Sequence, residues 1–187
     1  MNDRIVGRSL PLPGLVLLER KAVQDSRGSL ERLYCAESLA HLGVRRALSQ
    51  INLTRTRQRG SVRGMHFQRP PHAETKIVSC LRGRVFDVAV DVRRGSPTFL
   101  HWHGEELTPE GHSSLLIPEG FAHGFQAMSD DCEMLYFHTA AYRPEAEGGL
   151  RPTDPSLAIA WPLPISEMSD RDATHPAIAG GFAGVDP

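Results

Sequence analysis

Short apolar segments, each bounded by turn-forming residues, follow one another along most of this chain. The 187 residues include 17 glycines and 14 prolines. Turn signals such as Arg82-Gly83 and Pro109-Glu110-Gly111 separate stretches of high strand propensity. We predict strands over 15–19, 48–54, 76–81, 84–91, 99–107, 114–118, 124–128 and 133–139. Many short strands at this spacing are typical of a β sandwich or barrel, so the chain is predicted to be all-β.

The predicted strand at 84–91 indicates what kind of barrel this is. Successive side chains of a strand point to opposite faces of the sheet. One face of this strand is wholly apolar, whereas the other carries two carboxylates. The apolar face holds Phe86, Val88 and Val90, and the other face holds Val85, Asp87, Ala89 and Asp91. This alternation predicts a barrel with a polar cavity.

Helix is scarce, and the chain is predicted to form one domain over residues 1–187. One short helix is expected at 37–42 and a helical turn at 169–172. The C-terminal tail, about 162–187, is rich in Pro, Ala and Gly and is predicted to wrap the barrel as coil. Residues after Pro176 are expected to fray.

Charge and composition exclude several classes of function. The formal net charge is −1, so no bulk attraction to nucleic acid or membranes is expected. No apolar stretch approaches the ~18 residues of a membrane span, and the N-terminus lacks a secretory pattern. The scattered cysteines Cys35, Cys80 and Cys132 fit reduced thiols, which predicts a cytoplasmic protein.

Titratable side chains crowd the segment 61–83, SVRGMHFQRPPHAETKIVSCLRG. His66 is a candidate general base, because a neutral histidine is the commonest base near pH 7. Lys76 can supply positive charge where an enolate develops. Arg63 suits an anion such as a diphosphate.

A metal site is the alternative interpretation of this segment. His66, His72 and Glu74 are ligand types that bind metals in small β barrels. The two histidines are six residues apart with prolines between them, which is not the HxH spacing of two imidazoles on one strand face. We therefore predict no metal, and the HxH pair at His101 and His103 is interpreted as surface histidines of a strand.

Two further residues are ambiguous from the pattern alone. Tyr136 lies in the alternating segment CEMLYFHTA and is either a proton donor or a half-buried packing residue, and the pattern favours packing. His123 is flanked by Ala122 and Gly124, which allows either close approach of a ligand or a tight strand connection.

Taken together, these segments resemble the dTDP-4-dehydrorhamnose 3,5-epimerase family, whose fold is a cupin-type jelly-roll barrel with short peripheral helices. The resemblance covers nearly the whole chain in order. Its main pieces are DSRG (25–28), QIN (50–52), RGMHFQRPPHAETK (63–76), GRVFDVAVDVRRGSPTF (83–99), IPEGFAHGF (117–125), MLY (134–136), YRPEAEGGLRPTDP (142–155), IAWP (159–162) and MSDRD (168–172).

The resemblance implies epimerisation at C3, C5 or both of a nucleotide-linked 4-keto-6-deoxy sugar, without metal or other cofactor. It assigns His66 as the base, Asp172 as the carboxylate that orients it, Tyr136 as the acid and Lys76 as a catalytic cation. Family members are typically homodimers that share N-terminal residues. The implied substrate-binding residues are Arg27, Gln50, Asn52, Arg63, His123, Glu147 and Arg171.

The chain departs from the family pattern at some positions. The family's Ala-Gln before the lysine is Ala73-Glu74 here, and its Lys-Asp in the tail is Arg171-Asp172. A glutamate associated with the nucleotide end is replaced by Arg32. A metal-dependent cupin enzyme and a non-catalytic sugar-binding jelly roll are the competing hypotheses.

Overall fold

The computed structural model of the protein describes residues 4–186. Within these residues, helix is limited to α1 (Ala36–His41), α2 (Asp170–Ala173) and 3₁₀ turns at Pro144–Ala146 and Ile178–Gly180. The strands, numbered in chain order, are β1 (Ile5–Ser9), β2 (Val16–Arg20), β3 (Val23–Asp25), β4 (Gly28–Leu30), β5 (Gln50–Thr56), β6 (Val62–Gln68), β7 (Lys76–Arg82), β8 (Val85–Asp91), β9 (Trp102–Leu107), β10 (Ser113–Ile117), β11 (Phe121–Ala127), β12 (Cys132–His138) and β13 (Glu147–Gly149).

Two antiparallel sheets pack against each other. The six-stranded sheet has the order β1-β2-β10-β7-β12-β5, and the five-stranded sheet has the order β13-β6-β11-β8-β9. β3 and β4 form a separate hairpin. Most neighbours within a sheet are far apart in the chain, as in the two-sheet jelly roll. The predicted all-β, cupin-type jelly-roll barrel with short peripheral helices is confirmed.

The main hydrophobic core lies between the two sheets. Val78, Leu115 and Met134 of the six-stranded sheet pack with Ala89 and Phe125 of the five-stranded sheet, and all five are buried. Each strand contributes every second residue to this core because its side chains alternate between faces. Polar residues of both sheets, among them Lys76, His123 and Asn52, line a cavity beside this core.

The C-terminal tail covers the outer face of the five-stranded sheet. Val88 and Val90, from the apolar face of β8, pack there with Ile178 and Val185 of the tail and with Leu157, which precedes it. Val185 also forms an isolated β-bridge to Arg93. The expectation that residues after Pro176 fray is therefore wrong for 177–186, because Ile178 and Val185 bury their side chains against the sheet.

The outer face of the six-stranded sheet is covered by α1 and the segment after it. Leu39 of α1 and Val44 pack on Ile77 of β7 and Phe137 of β12. The helix lies within one residue of the predicted bounds. No helix among residues 4–186 is long and apolar enough to cross a membrane.

Strand β6, which carries His66, is not among the predicted strands, and its alternation is interrupted by Gly64. The backbone of Gly64 has a φ of 135°, and a Cβ built there would lie 2.5 Å from the Cα of Gly124 on β11. Only glycine allows the two strands to approach this closely. The register between β6 and β11 shifts at this point, between His123 and Phe125.

Candidate active site

A cavity of about 230 Å³ lies between the two sheets and contains most of the predicted site residues. A second cavity of about 950 Å³ adjoins it, and Arg63 and His66 line both. The predicted residues that line the first cavity are Gln50, Asn52, Arg63, His66, Lys76, His123, Tyr136 and Glu147. Arg171 and Asp172 line the second cavity. The fold thus gathers, around one space, residues that lie more than 100 positions apart in the chain.

His66 is paired with Asp172. Its Nε2 lies 2.7 Å from Oδ1 of the carboxylate. Burial opposes ionisation of Asp172, but the hydrogen bond from His66 and the charge of the imidazole outweigh burial. The pKa of Asp172 therefore lies below its ordinary value, and the group is a carboxylate at neutral pH. Because an ionised carboxylate only accepts, Nε2 donates the hydrogen bond, and in the neutral imidazole Nδ1 is the nitrogen that can take a proton.

The tail holds Asp172 in place at the start of α2. Ser169 caps this helical turn, and its Oγ accepts a hydrogen bond from the backbone N–H of Asp172 at 3.1 Å. Oδ2 of Asp172 accepts the N–H of Gly64 at 3.2 Å. Both carboxylate oxygens are therefore committed, one to β6 backbone and one to His66.

Lys76 enters the cavity from β7 and is only 7% exposed. Its Nζ donates to the backbone carbonyl of His66 at 3.1 Å and lies 3.3 Å from Oε1 of Glu74. A buried ammonium needs such partners, because an unpaired charge away from water is costly. Two contacts leave one donor of the three for a ligand in the cavity.

Tyr136 lies on β12, at the boundary between the apolar core and the cavity. Burial raises the pKa of its phenol well above the ordinary value, and the negative charge of Asp87 raises it further. The ring contacts His123 edge-on, with centroids 5.8 Å apart, and stacks on His138 at 6.0 Å. The phenol is therefore protonated at neutral pH and is held between two imidazoles.

His123, on β11, forms a second histidine–carboxylate pair that the sequence analysis did not assign. Its Nε2 lies 2.9 and 3.0 Å from the two carboxylate oxygens of Asp87 on β8. Asp87 is one of the two carboxylates that the alternation of β8 places on the face predicted to line a polar cavity. Asp91, four residues further along β8, instead accepts hydrogen bonds from Arg93 and Ser96 in the turn after the strand.

Polar side chains at the mouth of the cavity are linked to one another. Oε2 of Glu147 accepts hydrogen bonds from the Tyr142 hydroxyl at 2.9 Å and from Arg171 at 3.0 Å. Oε1 of Gln50 accepts the backbone N–H of Tyr142 at 2.9 Å. The guanidinium of Arg171 also lies 3.0 Å from Nε2 of His66. Because Nε2 donates to Asp172 and a guanidinium only donates, this is a close contact and not a hydrogen bond, and it brings a positive charge to the boundary of the two cavities.

Arg27 is the predicted site residue that lies outside both cavities. It lies in the turn of the β3–β4 hairpin and pairs with Asp25 of the same turn at 2.6 Å. Its side chain is 87% exposed. Within one chain, this arginine is not brought to the other site residues.

The metal alternative based on His66, His72 and Glu74 is not assembled. In residues 4–186, the group that brings three potential ligands within 4.8 Å of one another is His66, Asp172 and His175. The Arg171 guanidinium beside His66 opposes binding of a cation there.

Comparisons with known proteins agree with this geometry. Residues 9–180 match the family model described as dTDP-4-dehydrorhamnose 3,5-epimerase. A protein of that name from Streptomyces griseus is 40% identical over 174 residues, which cover 92% of this chain and 86% of the relative. A dTDP-4-dehydrorhamnose 3-epimerase from Streptomyces niveus is 39% identical over 166 residues, covering 88% and 80%.

A solved structure is similar over almost the whole chain. It is a dTDP-6-deoxy-D-glucose-3,5-epimerase from Legionella pneumophila Philadelphia 1, in complex with dTDP-4-keto-L-rhamnose. The two structures superpose with a TM-score of 0.90 at 34% identity, covering 98% of this chain and 99% of the other. The matches confirm the predicted isomerase class and favour it over the metal-dependent and non-catalytic alternatives. The chain belongs to the dTDP-4-dehydrorhamnose 3,5-epimerase family.

Proposed function

We propose that this protein epimerises C3, C5 or both of a dTDP-linked 4-keto-6-deoxy sugar by removing and returning a proton beside the ketone. The observation that supports this best is the placement of His66 and Tyr136 in one cavity. His66 comes from β6 in the five-stranded sheet, and Tyr136 comes from β12 in the six-stranded sheet. A base and an acid on facing sheets can reach opposite faces of one sugar ring.

Proton removal is assigned to Nδ1 of His66. The C–H bond beside the ketone breaks, its electrons move to the carbonyl oxygen as an enolate, and the imidazole takes the proton. Asp172 accepts a hydrogen bond from Nε2, so it holds the ring and stabilises the imidazolium that forms. Lys76 supplies positive charge in the buried cavity, where charge on the enolate oxygen is stabilised most strongly.

Proton return is assigned to the Tyr136 hydroxyl. The enolate carbon takes the phenolic proton from the face opposite to His66, which inverts the configuration at that carbon. Burial keeps the phenol protonated until this step. The phenolate recovers a proton from solvent, and the imidazolium releases its proton to solvent, so the enzyme returns to its starting state.

The nucleotide end is assigned to the larger cavity. Arg63 and Arg171 lie where the two cavities meet, and guanidinium groups match the oxygens of a diphosphate. The dTDP moiety is proposed because the relatives are named for dTDP-linked substrates.

Deuterium incorporation tests the proposed reaction directly. We expect the protein to exchange C–H protons beside the ketone of dTDP-4-keto-6-deoxyglucose in heavy water and to form an epimerised product, both followed by NMR. The rate should be unchanged after exhaustive chelation, because no proposed step uses a metal. Absence of exchange with this sugar would contradict the proposal, and activity restored only by an added divalent ion would contradict the metal-free mechanism.

Replacing Asp172 by asparagine is expected to lower kcat while leaving KM nearly unchanged. The amide can present a donor to Nε2 of His66, which favours the wrong tautomer of the imidazole and protonates Nδ1. Asp170→Asn is the matched control. Asp170 lies two residues earlier in α2 and does not line either cavity. If Asp172→Asn had the kcat of wild type, Asp172 would have no role in orienting the base.

We also propose that the protein works as a homodimer in which the β3–β4 hairpin of one chain reaches the site of the other. Arg27 lines neither cavity of its own chain, yet the family resemblance implies that it binds the substrate. Ile51 and Leu53, on edge strand β5 beside the cavity, are 57% and 46% exposed. An edge strand with exposed apolar side chains favours association with another chain.

Mixing two inactive variants tests this arrangement. Arg27→Ala and His66→Ala proteins are each expected to be impaired, and subunit exchange between them is expected to restore activity. In a mixed dimer, the Arg27→Ala chain contributes its intact His66 to one site, and the His66→Ala chain contributes its intact Arg27 to the same site. A dimeric mass in solution without any recovery of activity would show that Arg27 acts within its own chain or not at all.

A further inference from the structure

Glu74 and His138 form a third histidine–carboxylate pair in the cavity, to which the reaction above assigns no role. Oε2 of Glu74 lies 2.8 Å from Nδ1 of His138, and Oε1 lies 3.3 Å from Nζ of Lys76. The side chains of both members of the pair are about 10% exposed or less. One carboxylate thus links the cavity lysine on β7 to an imidazole on β12.

The pair has a defined protonation pattern. Burial opposes ionisation of Glu74, but the hydrogen bond from His138 and the positive charge of Lys76 outweigh it, and the pKa of Glu74 lies below its ordinary value. An ionised carboxylate can only accept, so Nδ1 of His138 carries the proton and donates it. In the neutral imidazole, Nε2 of His138 is then the acceptor. The side-chain amide nitrogen of Asn52, which can only donate, lies 3.5 Å from Nε2, a long contact that is compatible with this pattern.

Nε2 of His138 lies beside Asn52, on the side of the ring away from Glu74. His138, Asn52 and Tyr136 all line the cavity, and the ring of His138 stacks on that of Tyr136. The weak contact at 3.5 Å leaves most of the hydrogen-bonding capacity of Nε2 unused. A buried acceptor beside the proposed acid needs a donor from the ligand when water is displaced.

We propose that His138 binds a hydroxyl of the sugar through Nε2 and so helps to determine which sugars the enzyme accepts. Glu74 is the positioning residue that keeps this nitrogen an acceptor. This inference rests on the proposed function, because it concerns the sugar that occupies the same cavity.

The carboxylate at position 74 matters for this role. A glutamine, which the family pattern carries at this position, can accept from Nδ1–H through its oxygen or donate to a bare Nδ1 through its nitrogen. Glutamine therefore permits both tautomers of a neighbouring histidine, whereas glutamate permits one. The glutamate at position 74, in place of the family's glutamine, thus fixes Nε2 of His138 as the nitrogen that accepts a hydrogen bond from a sugar.

Kinetics with a set of His138 variants test the contact. His138→Phe keeps the stacked ring without its nitrogens, and His138→Asn keeps a donor near the position of Nδ1 but nothing at Nε2. Both are expected to raise KM for the keto sugar roughly five- to tenfold, the effect of one neutral hydrogen bond, with little change in kcat. His138→Gln, whose amide reaches the position of Nε2, should recover part of this loss. His41→Phe, at an exposed histidine of α1, is the matched control and should have wild-type KM.

Substrate analogues identify the partner group. For sugars that each lack one ring hydroxyl, wild type and His138→Phe should have equal KM when the missing hydroxyl is the one bound by His138. If the variant's KM differs from that of wild type by the same factor for every analogue, or does not differ for the intact sugar, the contact does not exist. Binding of dTDP alone, measured by calorimetry, should be the same in all folded variants.

The tautomer of His138 gives a readout that does not depend on turnover. In ¹⁵N-histidine-labelled protein, two-bond ¹H–¹⁵N correlations should show the Nδ1–H form of His138 at neutral pH, and Glu74→Gln should shift this resonance toward a mixture of tautomers. A wild-type Nε2–H form would overturn the inference even if the enzyme epimerises the sugar. Lack of deuterium exchange by wild type would instead overturn the proposed function. The tautomer of His138 would still be measured independently, because the NMR experiment does not require turnover.

Discussion

Replacing His66 by alanine is expected to lower the rate of deuterium exchange and of epimerisation by roughly three orders of magnitude or more, at the upper end of general-base contributions. The substitution removes the proposed base and also leaves the buried carboxylate of Asp172 without its imidazole partner. Among residues 4–186, the other hydrogen-bond partner of the Asp172 carboxylate is the backbone N–H of Gly64, which cannot take a proton from carbon. The measurement is the initial rate of deuterium incorporation beside the ketone, read by NMR.

His72→Ala is the matched control for His66→Ala. His72 belongs to the same segment but lies outside both cavities, and we expect it to leave the exchange rate near that of wild type. Binding of dTDP to His66→Ala shows whether the site is still formed. Near-normal exchange by a folded His66→Ala protein would mean that another group is the base.

Replacing Tyr136 by phenylalanine is expected to separate exchange from inversion. His66 can still remove the proton and return a deuteron to the same face, so exchange at C3 or C5 should continue. Inversion needs a donor on the other face, and phenylalanine offers none. The variant should therefore incorporate solvent deuterium but form little epimerised product, which NMR distinguishes by the coupling constants of the ring protons. The apolar contacts of the ring with its neighbours are kept, so the fold should not change.

Tyr142→Phe provides the comparison, because Tyr142 is the other tyrosine that lines the cavity. Its hydroxyl donates to Glu147 at the mouth, and that hydrogen bond raises its pKa. We expect this variant to invert the sugar. If Tyr136→Phe inverts at the wild-type rate and Tyr142→Phe does not, the acid is Tyr142 and Tyr136 is a packing residue.

Local patterns were sufficient for the fold class and for part of the site. Alternation in β8 separates an inward face with Asp87 from an outward face with Val88 and Val90, and the structure uses both faces in that way. Turn residues delimit most of the strands to within a few positions. Phe99–His101 was an exception: Leu100 has a positive φ of 63°, and β9 begins only at Trp102. These features depend on neighbours in the chain, which is why the sequence predicts them.

The pairings that give the site its chemistry depend on contacts between distant residues. Asp172 reaches His66 across 106 positions, Glu74 reaches His138 across 64, and Asp87 reaches His123 across 36. The family resemblance supplied the first pair, but nothing in the local pattern supplied the other two. Which side chains face one another across a barrel is set by strand order and register, and a shift of one residue turns every side chain of a strand to the opposite face. The sequence by itself therefore determined the all-β class and the candidate base and cation, and the family resemblance added the candidate acid and the carboxylate beside the base. Only the tertiary structure decided that Asp87 holds His123 and that Glu74 holds His138.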